Sequence, residues 1–94
     1  MISKLVGKRL KELRVSQKLS QETLANSVEM SRTYYTEVET GKRNVTVKNL
    51  KRLTDGLGVS LQEFFASPIF REDTVTFNDT TPSRTDYYLI GTEK

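Results

Sequence analysis

Leu19-Ser20-Gln21-Glu22-Thr23-Leu24-Ala25-Asn26-Ser27-Val28-Glu29-Met30-Ser31-Arg32-Thr33-Tyr34-Tyr35 contains the same local signal twice. An apolar residue precedes a serine, and another apolar or aromatic residue follows four positions after the serine: Leu19-Ser20 with Leu24, then Met30-Ser31 with Tyr35. A serine hydroxyl in that place accepts a bond from an orphan N–H of a first helical turn. The flanking apolar pair closes over the helix start as a hydrophobic staple. The two caps lie only 11 residues apart. A helix of about eight residues and a tight turn fill that interval, so the two helices must cross steeply, as in a helix-turn-helix.

The pattern continues downstream. Val45-Thr46 pairs with Leu50, and Val59-Ser60 with Phe64. Upstream, Val6, Leu10 and Leu13 fall on one helical face within a helix expected from about Ser3 to Gln17. Gly7 inside it weakens the helix by roughly 1 kcal/mol relative to Ala unless a neighbour needs the space. Gly41 and Gly58 stand where helices end. The expected core is Leu24, Ala25, Val28, Tyr35, Val38, Leu50, Leu53 and Leu57 in addition to the first-helix face. The fold class read from these signals is mainly α, a five-helix domain over residues 1–66.

Residues 67–94 form a C-terminal extension of different character. Asp73–Phe77 and Asp86–Ile90 are rich in β-branched and aromatic residues around a polar loop, which predicts a β-hairpin or arm. A lone hairpin is marginal in water, so it is expected to pair with a second copy. Phe64, Phe65, Phe77 and Tyr88 are the expected dimer contacts.

Composition narrows the function. The 94 residues include no Cys, His or Trp. Disulfides, thiolate metal sites and the commonest general base are therefore excluded, and neither catalysis nor a cofactor is expected. The longest apolar run, Tyr87-Tyr88-Leu89-Ile90, is too short to span a bilayer. Met1-Ile2-Ser3-Lys4 shows no apolar secretory core, so a cytoplasmic location is expected. The net charge of +3 is unevenly spread. Residues 1–65 carry 12 Lys/Arg against 7 Asp/Glu, and residues 66–94 carry 3 against 5. The helical part is the basic part, as a polyanion partner would require.

From Val6 to Phe65 the chain resembles the phage-repressor and Cro-like helix-turn-helix family of DNA-binding regulators. The resemblance is carried by Gly7-Lys8-Arg9-Leu10-Lys11-Glu12-Leu13-Arg14, Leu19-Ser20-Gln21-Glu22-Thr23-Leu24-Ala25, Ser31-Arg32-Thr33-Tyr34-Tyr35, Val38-Glu39, Gly41-Lys42-Arg43-Asn44 and Leu57-Gly58-Val59-Ser60. Within the family, Arg32-Thr33-Tyr34 with Gly41-Lys42-Arg43-Asn44 and Thr46 is similar to the controller proteins of restriction–modification systems.

The resemblance implies a transcription regulator that binds a palindromic operator as a homodimer. Its helix from about residue 32 to 40 would lie in the major groove, with half-sites ~34 Å apart. Arg32, Thr33, Tyr34 and Glu37 match the base-facing positions; Glu37 can instead partner Arg43. Gln21, Lys42, Arg43 and Asn44 match phosphate-facing positions. Arg14 and Glu39 match a buried ion pair between the first and third helices. Double-stranded DNA, a second copy of the chain and, as a further candidate, RNA polymerase are the implied partners. Relatives carry Gly where this chain has Glu29, so the turn must either strain a non-glycine residue or be built differently. A protein–protein adaptor built on the same domain is the alternative function.

Overall fold

The computed structural model describes residues 1–71. Five α-helices follow in order: α1 (Ile2–Ser16), α2 (Gln21–Ser27), α3 (Arg32–Glu39), α4 (Val47–Leu57) and α5 (Leu61–Phe65). All four caps expected from the sequence are made. The hydroxyls of Ser20, Ser31, Thr46 and Ser60 accept from the main-chain N–H of Thr23, Tyr34, Asn49 and Glu63 respectively. At α5 the Glu63 side chain returns a bond to the Ser60 N–H, completing a capping box.

The core is a single cluster. Val6, Leu10, Leu24, Ala25, Val28, Tyr35, Val38, Leu50, Leu53, Leu57 and Phe64 are all buried, with Leu13, Leu19, Met30 and Val59 packed around them. Leu13, expected inside, is only partly buried. α1 crosses α3 at Gly7, which is buried. A Cβ at Gly7 would stand 2.3 Å from the main-chain carbonyl oxygen of Glu39, closer than atoms can approach. The helix accepts glycine's intrinsic penalty because no side chain fits at the crossing. α4 ends at Gly58 in the left-handed region, φ 75°.

Two non-glycine residues also adopt positive φ: Glu29 at 59° and Lys18 at 60°. Glu29 therefore occupies the strained conformation rather than a rebuilt turn. Lys18 does the same in the connection between α1 and α2, which nothing in the sequence had marked.

The folded unit continues past residue 66. Ser67 caps a short 3₁₀ turn over Pro68–Phe70. The Phe70 ring packs 6.0 Å from Phe64 and 5.0 Å from Phe65. The hairpin expected between Asp73 and Ile90, with Phe77 and Tyr88, lies outside the described residues. Among the described residues there is no strand, and no helix is long and apolar enough to cross a membrane.

Candidate nucleic-acid interface

α3 is held from behind by a cluster of four side chains. Arg14 on α1 forks onto Glu39, with Nε to Oε2 at 2.9 Å and Nη2 to Oε1 at 3.0 Å. Its Nη1 donates to the Leu19 carbonyl at 2.7 Å. Glu39 also accepts from the Tyr35 hydroxyl at 2.5 Å and from the Gln21 Nε2 at 2.8 Å. The Glu39 side chain is 4% exposed and that of Arg14 12%, so both depend on these partners. Burial alone would push the Glu39 carboxyl upward, but donors from Arg14, Tyr35 and Gln21 together hold it below its ordinary value. Arg14 is raised, chiefly by its bond to Glu39. Tyr35 is raised, first by burial and then by donation to Glu39. These bonds favour the charged Arg14–Glu39 pair and the neutral Tyr35 phenol, and the cluster ties α3 to α1 and α2.

This arrangement changes the role available to Gln21. Expected on a phosphate, its carboxamide is occupied at both ends inside the protein. Nε2 donates to Glu39, and Oε1 accepts from the Thr36 hydroxyl at 3.2 Å. The side chain braces α2 to α3.

On the outer side, Arg32 and Thr33 are exposed at the leading end of α3. Tyr34 is half-buried, and its hydroxyl accepts from Asn49 Nδ2 at 3.1 Å. Glu37 is engaged by Arg43, with Oε1 2.9 Å from Nε and 2.8 Å from Nη2. The same guanidinium lies 5.4 Å above the Tyr34 ring, within cation–π range. Of the two roles open to Glu37, cytosine acceptor or partner of Arg43, the free protein adopts the second. Lys42, Arg43 and Asn44 are all exposed in the loop after α3, and the Ser3 hydroxyl donates to Asn44 Oδ1. Tyr34, Glu37 and Arg43 thus form one contact set, with Arg32 and Thr33 exposed at the start of α3 and Lys42 and Asn44 exposed in the loop beyond its end.

Phe64 requires a correction. Expected at a dimer contact, it is 0% exposed within the single chain and belongs to the core, because its position four residues after Ser60 turns it inward as the staple residue. Phe65 is 44% exposed and remains on the surface.

Two basic side chains bond to main-chain carbonyls of remote elements. Arg9 donates to the carbonyls of Phe64 at 2.8 Å and Glu63 at 2.9 Å, closing the end of α5. Arg52 donates to the carbonyls of Val28 and Glu29, the latter at 3.3 Å. Arg52 thus grips the turn between α2 and α3 at the strained residue. No local motif announces either contact.

Two short helices joined at a tight turn, the second presenting exposed Arg32 and Thr33 at its start, define a helix-turn-helix protein. The helix-turn-helix family matches residues 10–64, and the chain belongs to that family. It is similar to the control protein C.MunI of a Mycoplasma species, 46% identical over 61 residues, which are 64% of this chain and 82% of the relative. Among solved structures it is similar to the restriction–modification controller protein C.AhdI from Aeromonas hydrophila, with 41% identity and a TM-score of 0.65. That alignment covers 67% of this chain and 96% of the other. The controller protein C.Esp1396I, solved as a tetramer in complex with its natural 35 base-pair operator, is 32% identical with a TM-score of 0.69. There 77% of this chain and 93% of the other are covered.

Proposed function

We propose that this protein is a sequence-specific DNA-binding transcription regulator, of the kind that controls restriction and modification genes, reading a palindromic operator as a homodimer. The observation that carries this reading is the exposure of Arg32 and Thr33 at the front of a helix held from behind by Arg14, Glu39, Tyr35 and Gln21. A rigid helix of this width fits the major groove of B-form DNA.

In that groove Arg32 offers a bidentate match to guanine O6 and N7. Thr33 offers a hydroxyl and a methyl for thymine. Lys42, Arg43 and Asn44 lie beyond the end of α3, where a duplex backbone would pass, and supply phosphate contacts that fix register without reading sequence. Gln21 contributes its main-chain N–H at the start of α2, since its carboxamide is committed inside. The likeness to a controller protein solved on its operator supports duplex DNA as the partner.

One helix reads too few bases for useful specificity, so two copies related by a two-fold axis are required. Exposed Phe65 at α5 is the apolar side chain offered to the second copy. The test is selection from a random-sequence duplex pool with the purified protein at two salt concentrations. A palindromic consensus is expected; an unenriched pool would defeat the reading.

A further inference from the structure

Tyr34 is fixed from two directions by residues outside its own turn. Asn49 Nδ2 donates to its hydroxyl oxygen at 3.1 Å. Asn49 is itself anchored in the first turn of α4, where its main-chain N–H donates to the capping Thr46 hydroxyl at 3.1 Å. The Arg43 guanidinium covers the ring at 5.4 Å from its centroid, and Glu37 holds that guanidinium in place at 2.8 Å. Neither the ring nor the hydroxyl oxygen is free to choose its orientation.

A phenol hydroxyl carries one proton and two lone-pair directions. Asn49 donates into the oxygen and so occupies a lone pair. The proton has no acceptor among the described residues and is left for a partner beyond the protein surface. We propose that Asn49 is a positioning residue that makes Tyr34 a hydrogen-bond donor of fixed direction toward the duplex. Tyr34 then selects an acceptor: guanine O6 or N7, adenine N7, thymine O4 or a phosphate oxygen. It disfavours the exocyclic amino group of cytosine, which is itself a donor. This inference rests on the operator reading above.

The experiment compares wild type, Tyr34→Phe, Asn49→Ala, Asn49→Asp and the two double variants. Each is selected against a random-sequence duplex pool and then titrated with the duplex that wild type enriches. All should fold, since the main-chain bond from residue 49 to Thr46 survives substitution, and Asp in a first turn suits the helix dipole. Thermal melts check this.

Tyr34→Phe should weaken binding about five-fold, the worth of one neutral hydrogen bond. Asn49→Ala should weaken it by no more than that, and should add nothing once Tyr34 is Phe. In Asn49→Asp the carboxylate accepts the Tyr34 proton and turns the hydroxyl's lone pairs outward. If the acceptor is a base edge, the preferred base at one consensus position changes to one presenting an amino donor. If it is a phosphate oxygen, affinity falls alike for all sequences, and the fall shrinks in the Tyr34→Phe background to the part owed to the added negative charge alone. Either result supports the inference and identifies the acceptor.

Losses at residues 34 and 49 that add in full would overturn it, as would an Asn49→Asp effect that persists undiminished in the Tyr34→Phe background. Those outcomes leave the operator reading intact when wild type enriches a consensus. An unenriched wild-type pool removes both.

Discussion

The guanidinium of Arg14 and the carboxylate of Glu39 meet at two points, 2.9 and 3.0 Å, across the crossing of α1 and α3. The pair is nearly dry, while Arg32 and Thr33 at the start of the same helix are exposed. Arg14→Met leaves a buried carboxylate with only the Tyr35 hydroxyl and the Gln21 amide as donors. A loss of about 3–5 kcal/mol in urea-unfolding free energy is expected. Replacing both partners by apolar residues, Arg14→Met with Glu39→Leu, should recover a substantial part of it.

The same carboxylate gives the protein an acid limb. Because the folded protein holds Glu39 below the ordinary carboxylate value, the unfolded chain binds its proton more readily. The resulting stabilisation is fully present above the unfolded pKa of about 4.3 and is lost as pH falls through the lower folded value. Chemical unfolding followed from pH 7 down to pH 2 should show this decline. Glu39→Gln, less stable at pH 7, should show a flatter curve.

Glu29 and Lys18 stand at φ 59° and 60°, a region that disfavours residues with a Cβ. Glu29→Gly should therefore stabilise the fold by about 0.5–1 kcal/mol, after allowing for the greater freedom of glycine in the unfolded chain. Lys18→Gly should behave alike. Thermal melting monitored by circular dichroism should move upward by a few degrees in each.

Arg32 and Arg43 are both exposed arginines, but they predict opposite kinds of defect. Arg32→Ala should cost about 1–3 kcal/mol on the selected operator and relax one base position. Arg43→Ala should lower the slope of log affinity against log salt by about one, on every duplex. Titrations of two unrelated duplexes at several salt concentrations separate the two.

Much of this architecture was legible because helix starts are local. Ser20, Ser31, Thr46 and Ser60 each announce themselves within five residues, and the structure makes all four caps. The core followed from the same spacing. Other features depend on distance across the fold and have no local signature. Arg9 reaches residues 54 and 55 positions away, and Arg52 reaches back 23 and 24. Both resemble ordinary solvated cations until the helices are assembled. Phe64 carries both signals, an aromatic pair suited to an interface and the staple spacing from Ser60, and the staple wins because the residue four after the cap turns inward. Gln21 and Glu37 carry chemistry suited to DNA, yet their nearest partners prove to be intramolecular. Gly7 needed a neighbour to explain it, and only the crossing with α3 supplies the Glu39 carbonyl.

The reach of Arg9, Arg52 and Gln17 has one more result. Gln17 Nε2 donates to the Leu57 carbonyl at 2.6 Å, so the trailing ends of α2, α4 and α5 are each tied to a side chain remote in the chain. Ordinarily such ends fray independently at little free energy. Here loosening one breaks a tether to another element, so partial opening is coupled to disassembly of its neighbour. A domain with so small a core should therefore unfold as one cooperative unit, with α3 held in place until the whole opens.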